Sequence, residues 1–133
     1  MVEQNARVVR RFFDELWTQG RLEVADELMA PEHTHHLSGD DLGGPAEVKE
    51  LVVFLRGAFP DLRLVIEDEV VAGDKVVVRW TAVGTHLGEF DGIAPTGRVV
   101  TWTGIDVVRL HDHRIVELWG NNDALGLEGQ LRS

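Results

Sequence analysis

Residues 98–123, RVVTWTGIDVVRLHDHRIVELWGNND, read as a long β-hairpin. Residues 98–110 are rich in Val, Ile, Thr and Trp, residues 115–122 continue in the same style, and the polar turn His111-Asp112-His113-Arg114 separates them. Side chains alternate across a strand, so an inward-facing Asp123 would share its face with Asn121, Trp119 and Glu117. A row of carboxylate, amide and indole is unusual for a plain core and suits the wall of a pocket that holds a polar organic molecule. The other row, Val116, Leu118 and Gly120, would then lie on the convex face of the sheet. An apolar convex face needs covering, which predicts a homodimer packed sheet to sheet, or a larger assembly such as a homotetramer.

Upstream, residues 62–72 and 75–85 alternate in the same way around the tight-turn signal Gly73-Asp74, giving a second hairpin. Residues 87–97, with three Gly and one Pro, form a loop between the hairpins. The first sixty residues have a different period. Val8, Phe12, Leu16 and Val9, Phe13, Trp17 make two adjacent rows at spacing four, predicting an amphipathic helix over 3–19 that Gly20 ends. A short helix over 22–29 stops before Pro31, and residues 32–44, with three histidines and several turn formers, read as a loop. Pro45 opens a third helix that runs to about Ala58. The tail, residues 124–133, offers Leu125, Leu127 and Leu131 for packing. Three helices followed by four long antiparallel strands define an α+β domain whose sheet curls around the helices and leaves a cone-shaped cavity.

At 133 residues the whole chain, 1–133, is expected to form one domain, which buries roughly two-thirds of its unfolded surface. Thirteen basic against 23 acidic residues give a formal charge of −10, which opposes binding to nucleic acid and to anionic membrane surfaces. No apolar run is long enough to span a bilayer, the N-terminus lacks the apolar core of a signal peptide, and there is no cysteine, so a cytoplasmic location is the simplest expectation. A small, neutral or weakly polar ligand suits this composition better than a polyphosphate. GIAPTG (residues 92–97) lacks the spacing of a phosphate loop, and there is no GxSxG nucleophile motif.

FPDLRLVIEDEVVAGDKVVVRWTAVGTHLGEF (residues 59–90), GIAPTGRVVTWTGIDVVRL (92–110) and RIVELWGNNDALGLEGQL (114–131), with FFDELW and the histidine loop before Gly44-Pro45, resemble the SnoaL-like polyketide cyclase family across almost the whole chain. The resemblance implies the NTF2-like (cystatin-like α+β) cone: three N-terminal helices on a strongly curved, mainly antiparallel sheet enclosing a pocket. It further implies no metal or organic cofactor, an aromatic polyketide-like ligand, and a place in secondary metabolism such as antibiotic biosynthesis. The activity implied is an intramolecular aldol ring closure of an aromatic polyketide ester, with a late aspartate as acid/base. The position matching that aspartate is Asp123, and Arg109 stands where the cyclases carry an assisting histidine. Relatives with altered polar pairs at this place are cofactor-independent polyketide hydroxylases, which keeps hydroxylation open as an alternative, beside a non-catalytic binding domain.

Aldol closure needs a base for a proton α to a carbonyl and a donor for the alkoxide formed, and one carboxyl can serve both steps. It works best in an apolar cavity, where desolvation raises its pKa. Asp123 beside Trp119 is the first candidate, although an Asp there also suits the cap of a tail helix starting at Ala124. Asp106 is the fallback, should the register be off by one. Arg109 would stabilise an enolate oxygen or pair with Asp123. His35 or His36 would close the pocket mouth and donate to a substrate carbonyl, His86 would sit at the rim, and Glu117, Trp119 and Asn121 would line the wall. Two-residue spacing among His33, His35 and His36 is too unspecific to assign a zinc site.

Overall fold

A computed structural model describes residues 2–37 and 40–133. The predicted first helix begins as α1 (Val2–Arg11) and widens into a π-helical segment, Phe12–Thr18. The wide turn is visible in the Gln19 N–H, which donates to the Asp14 carbonyl at 2.9 Å, five residues back. The segment buries Phe12, Phe13, Leu16 and Trp17 together. Gly20, at φ +70°, then turns the chain away. A short α2 (Val24–Leu28) follows, and α3 (Gly44–Ala58) carries Pro45 in its first turn, where its missing N–H costs nothing.

Residues 32–44 are not the loop expected from sequence. They contain most of β1 (Met29–Leu37) and all of β2 (Asp40–Gly43). The turn signal expected at Ser38-Gly39 lies outside the described residues. The strand escaped notice because its inward positions are His33 and His35, 1% and 3% exposed, so a polar sequence hides a core-facing alternation. The later strands fall where the alternation put them: β3 (Arg63–Ala72), β4 (Lys75–Thr85), β5 (Val99–His111) and β6 (Arg114–Asn122), followed by a fourth helix, α4 (Ala124–Arg132). Asp112 and His113, both at positive φ, make the tight turn between β5 and β6.

The sheet has the order β2-β1-β6-β5-β4-β3, antiparallel except for the parallel pair β1–β6. Its inner face is apolar along β4 (Val76, Val78, Trp80, Ala82) and β5 (Val100, Trp102, Val108, Leu110), and packs on Val9, Phe12, Phe13, Leu16, Val48 and Val52 of the helices. Leu127 and Leu131 bury α4 against the same core. This is the curled α+β cone that the resemblance implied. Among the described residues, no helix is long and apolar enough to cross a membrane.

β6 carries one irregularity near its start. The register runs Arg109↔Glu117 and then Leu110↔Ile115, leaving Val116 as an extra residue, so that Ile115 turns inward. Leu118 and Gly120 share the inner face with it by ordinary alternation. Glu117, Trp119 and Asn121 point outward, the reverse of the expected arrangement. The outer face is nonetheless apolar in patches, with Val70 58%, Val99 69% and Ile105 50% exposed.

Candidate active site

A cavity of about 240 Å³ lies between the inner face of the sheet and the helices. Phe12, Phe13 and Trp17 of the π-helical segment form one wall, Leu51, Phe54 and Leu55 of α3 another, and Trp80, Ala82 and Trp102 of the sheet a third. Phe90, from the loop after β4, packs at a tilt against Phe54 and Phe59 at ring-centre distances of 5.7 and 5.6 Å and lines the cavity. Asp106, His35 and Asn122 bring polar side chains into this largely apolar space.

Asp106 is held in a slot made by two glycines. Gly104, two residues earlier on the same face of β5, pairs directly with Trp80 on β4. A Cβ on Gly104 would lie 2.2 Å from the indole, so its absence lets Trp80 lie across β5. That placement lets the Trp80 Nε1–H donate to Asp106 Oδ1 at 3.1 Å. On the other side Asp106 pairs with Gly120, where a Cβ would come within 3.0 Å of the same oxygen. The carboxyl is 7% exposed, and burial pushes its pKa up to about 7 against the opposing pull of the Trp80 N–H. Near neutral pH it can therefore both take and return a proton.

His35 reaches the cavity from β1, with its ring centre 6.4 Å from that of Phe12. Its Nδ1 is 3.2 Å from Nε2 of His33, which lies buried behind it. Burial first, then repulsion from His33 and His36, drives the pKa of His35 down to about 3; burial takes that of His33 to about 4. Both rings are neutral at pH 7.

The remaining expected site residues lie elsewhere. Asp123 is exposed and caps α4, its Oδ1 accepting the Gly126 N–H at 2.9 Å. It stands one residue past the end of β6, so strand alternation does not carry it inward, and it does not line the cavity. Arg109 projects from the outer face of β5 and donates to Glu117 at 3.0 Å. Glu117 also bonds His36 Nε2 at 2.8 Å, and His36 Nδ1 meets Asp41 at 3.0 Å. His36 stacks on Trp119, with Lys75 Nζ 5.9 Å from that indole's centre. Arg109, Glu117, His36, Trp119 and Asn121 thus belong to the outer surface, not to the pocket.

His86 is fully buried but is not part of the cavity wall. Its Nδ1 accepts the Thr96 N–H at 3.2 Å, pinning the loop that carries Phe90. Among the described residues no group of three or more His, Asp or Glu is placed to hold a metal ion. Sequence reasoning missed Asn122 and the π-helical aromatics. A usable sign of Asp106 was present: it is the one charged residue in the row Val100, Trp102, Gly104, Val108, Leu110.

The profile of the SnoaL-like polyketide cyclases matches residues 7–131. Among curated proteins none is significantly similar in sequence. A protein from Jannaschia sp. CCS1, provisionally assigned as a SnoaL-like polyketide cyclase, superposes with a TM-score of 0.91 at 29% identity, covering 98% of this chain and 93% of its own. IdmH of Streptomyces antibioticus, provisionally assigned as a polyketide cyclase, gives 0.87 at 32% identity over 98% of this chain and 99% of its own. AclR of Streptomyces galilaeus, provisionally assigned as a hydroxylase, gives 0.90 at 26% identity over 99% and 87%. With a profile match across nearly its full length and a shared cone, the chain belongs to the SnoaL-like polyketide cyclase family.

Proposed function

We propose that the protein is a cofactor-independent acid/base catalyst that closes a ring in an aromatic polyketide by an intramolecular aldol step, with Asp106 in the role first expected of Asp123. The observation that carries this reading is a carboxyl buried in the wall of a largely apolar cavity, where burial pushes its pKa up to about 7. The Asp106 carboxylate removes a proton from the carbon α to a carbonyl. The resulting enolate carbon attacks a second carbonyl of the same molecule, forming a C–C bond and an alkoxide. Asp106 then returns its proton to that oxygen, so atoms and charge balance with no cofactor. A positioned base of this kind contributes about 10²–10⁴-fold, enough when the α-proton is already acidic between two carbonyls. His35 and Asn122 hydrogen-bond the substrate's oxygens and hold the reacting carbons together.

An engineered cavity of about 150 Å³ accepts benzene, so the volume here suits about two fused rings, with the rest of a larger substrate at the mouth beside Phe54 and Asn122. The similarity to AclR favours hydroxylation as the second reading. The exposed valines and Ile105 of the outer face support pairing of two copies sheet to sheet, as a homodimer or within a homotetramer.

The test is turnover of aromatic polyketide β-ketoesters by wild type and Asp106→Asn, following product mass and dissolved oxygen. Ring closure without oxygen uptake, lost in the variant with binding retained, is expected. Oxygen uptake would point to hydroxylation. Binding without turnover in both proteins would leave a non-catalytic binding domain.

A further inference from the structure

Three tryptophans line the cavity: Trp17 on the π-helical segment, Trp80 on β4 and Trp102 on β5. An indole nitrogen can only donate, so its chemistry alone fixes the direction of any bond it makes. Trp80 gives its N–H to Asp106. Trp17 and Trp102 are 7% and 6% exposed, yet neither Nε1–H meets an acceptor among the described residues. Nor is either nitrogen sealed in, because the closed-off polar atoms without a partner are His33 Nδ1 and His86 Nε2. Each indole thus keeps its N–H open to the space it borders, and both border the cavity. The two rings are also braced. Trp102 packs on Phe59 with ring centres 5.2 Å apart, and Trp17 meets Phe12 edge-on at 6.5 Å and 73°. The carbonyls of Trp17 and Thr18 accept from Arg56 of α3 at 3.0 and 2.8 Å, which ties the π-helical wall to its neighbour. Donors held in this way lose little freedom when a ligand arrives.

We propose that Trp17 and Trp102 are binding residues that donate their indole N–H groups to two acceptor oxygens of the ligand, one from the helical wall and one from the sheet. This narrows the ligand class to an uncharged fused-ring compound with carbonyl oxygens at two of its edges. An anion is disfavoured, because no Lys or Arg lines the cavity and the Asp106 carboxylate would repel it. A bare hydrocarbon would leave both buried donors without an acceptor, which costs affinity. In its catalytic consequence the assignment rests on the reading of Asp106 given above. A donor at the carbonyl oxygen draws charge from the carbon that loses its proton and steadies the enolate that forms. Indole does not titrate near neutrality, so these donors stay in place while Asp106 takes and returns its proton.

The test replaces one indole at a time, in the full chain, by 3-benzothienylalanine, a ring of the same shape with sulfur in place of the N–H. Binding of 1,4-naphthoquinone and of naphthalene to wild type and to each variant is measured by equilibrium dialysis; the chain has no cysteine for the quinone to alkylate. Taking the ratio of the two affinities cancels changes in cavity shape. That ratio is expected to fall about 3- to 10-fold in each variant, the worth of one hydrogen bond, with naphthalene binding unchanged. Proton–nitrogen spectra of ¹⁵N-labelled wild type give a second readout. The indole protons of Trp17 and Trp102 are expected to shift more with naphthoquinone than with naphthalene, while that of Trp119 on the outer face stays in place. An unchanged ratio in either variant, or indole protons that respond alike to the two probes, overturns the proposal. Should a variant not fold, the wild-type spectra still decide. Neither readout needs turnover. Activity retained by Asp106→Asn would therefore end the catalytic reading and leave this result standing, whereas an unchanged ratio would remove the donors and leave Asp106 untouched.

Discussion

Replacing Asp106 by Asn should stabilise the protein, and by an amount that depends on pH in a way few other changes would imitate. The carboxyl moves from an ordinary 3.8 to about 7 on folding. At about 1.4 kcal/mol for each pH unit, keeping it ionised in the fold costs about 4 kcal/mol. Because the native pKa is the higher one, the folded state holds the extra proton between the two values. The cost is absent below the unfolded pKa, grows through the window between about 4 and 7, and is constant above it. Asparagine stays neutral throughout and its carbonyl still accepts the Trp80 N–H. The stability difference, variant minus wild type, should therefore rise by about 3 kcal/mol between pH 4.5 and pH 8, measured by urea denaturation at each pH. The variant's unpaired amide hydrogens subtract about 1–3 kcal/mol at every pH, so the slope, not the intercept, is diagnostic. A difference that does not change with pH would mean that the Asp106 carboxyl is hydrated, and would refute the argument from burial.

Three other perturbations follow from the geometry. Asp123→Ala removes the cap of α4 and should cost about 1 kcal/mol in thermal stability while leaving turnover unchanged. Gly104→Ala would place a methyl 2.2 Å from the Trp80 indole; it should destabilise by about 1–3 kcal/mol and, by tilting the indole off Asp106, change tryptophan fluorescence and lower turnover. His36 is flanked by carboxylates at both ring nitrogens, and only the imidazolium can donate to both at once. Its pKa is raised, chiefly by the bond to Glu117 and then by Asp41, so its stabilisation is complete below the unfolded value near 6.5 and is lost as pH rises through the folded one. The melting-temperature loss in His36→Gln should accordingly be larger at pH 6 than at pH 8.5; equal losses would show that the charged form contributes nothing.

The fold was legible where local patterning and burial agree. β3 to β6 alternate plainly, their turns carry Gly73-Asp74 and Asp112-His113, and the family motifs span the chain. β1 and β2 were not legible, because β1 turns histidines inward and is held by parallel pairing to β6, some eighty residues further on. Within the site, the reading of β6 was counted back from Asp123, which stands one residue past the strand and caps α4. That anchor placed Glu117, Trp119 and Asn121 inward, where Leu118, Gly120 and Asn122 hold the inner face. Asp106 was the better reading of the same alternation on β5, where a lone carboxylate interrupts an apolar row flanked by Gly104 and Gly120. The pairing of His33 with His35 could be seen only in three dimensions, since residues two apart on an ordinary strand are neighbours on one face but need burial to become partners.

The central claim is that Asp106 moves the substrate's α-proton. The most direct measurement is the exchange of that proton for deuterium in a polycyclic β-ketoester, followed by NMR in D₂O with wild type, Asp106→Asn and Asp123→Asn. Wild type and Asp123→Asn should catalyse exchange alike, and Asp106→Asn should lose at least about 100-fold. Full exchange by Asp106→Asn, or its loss in Asp123→Asn, would contradict the account.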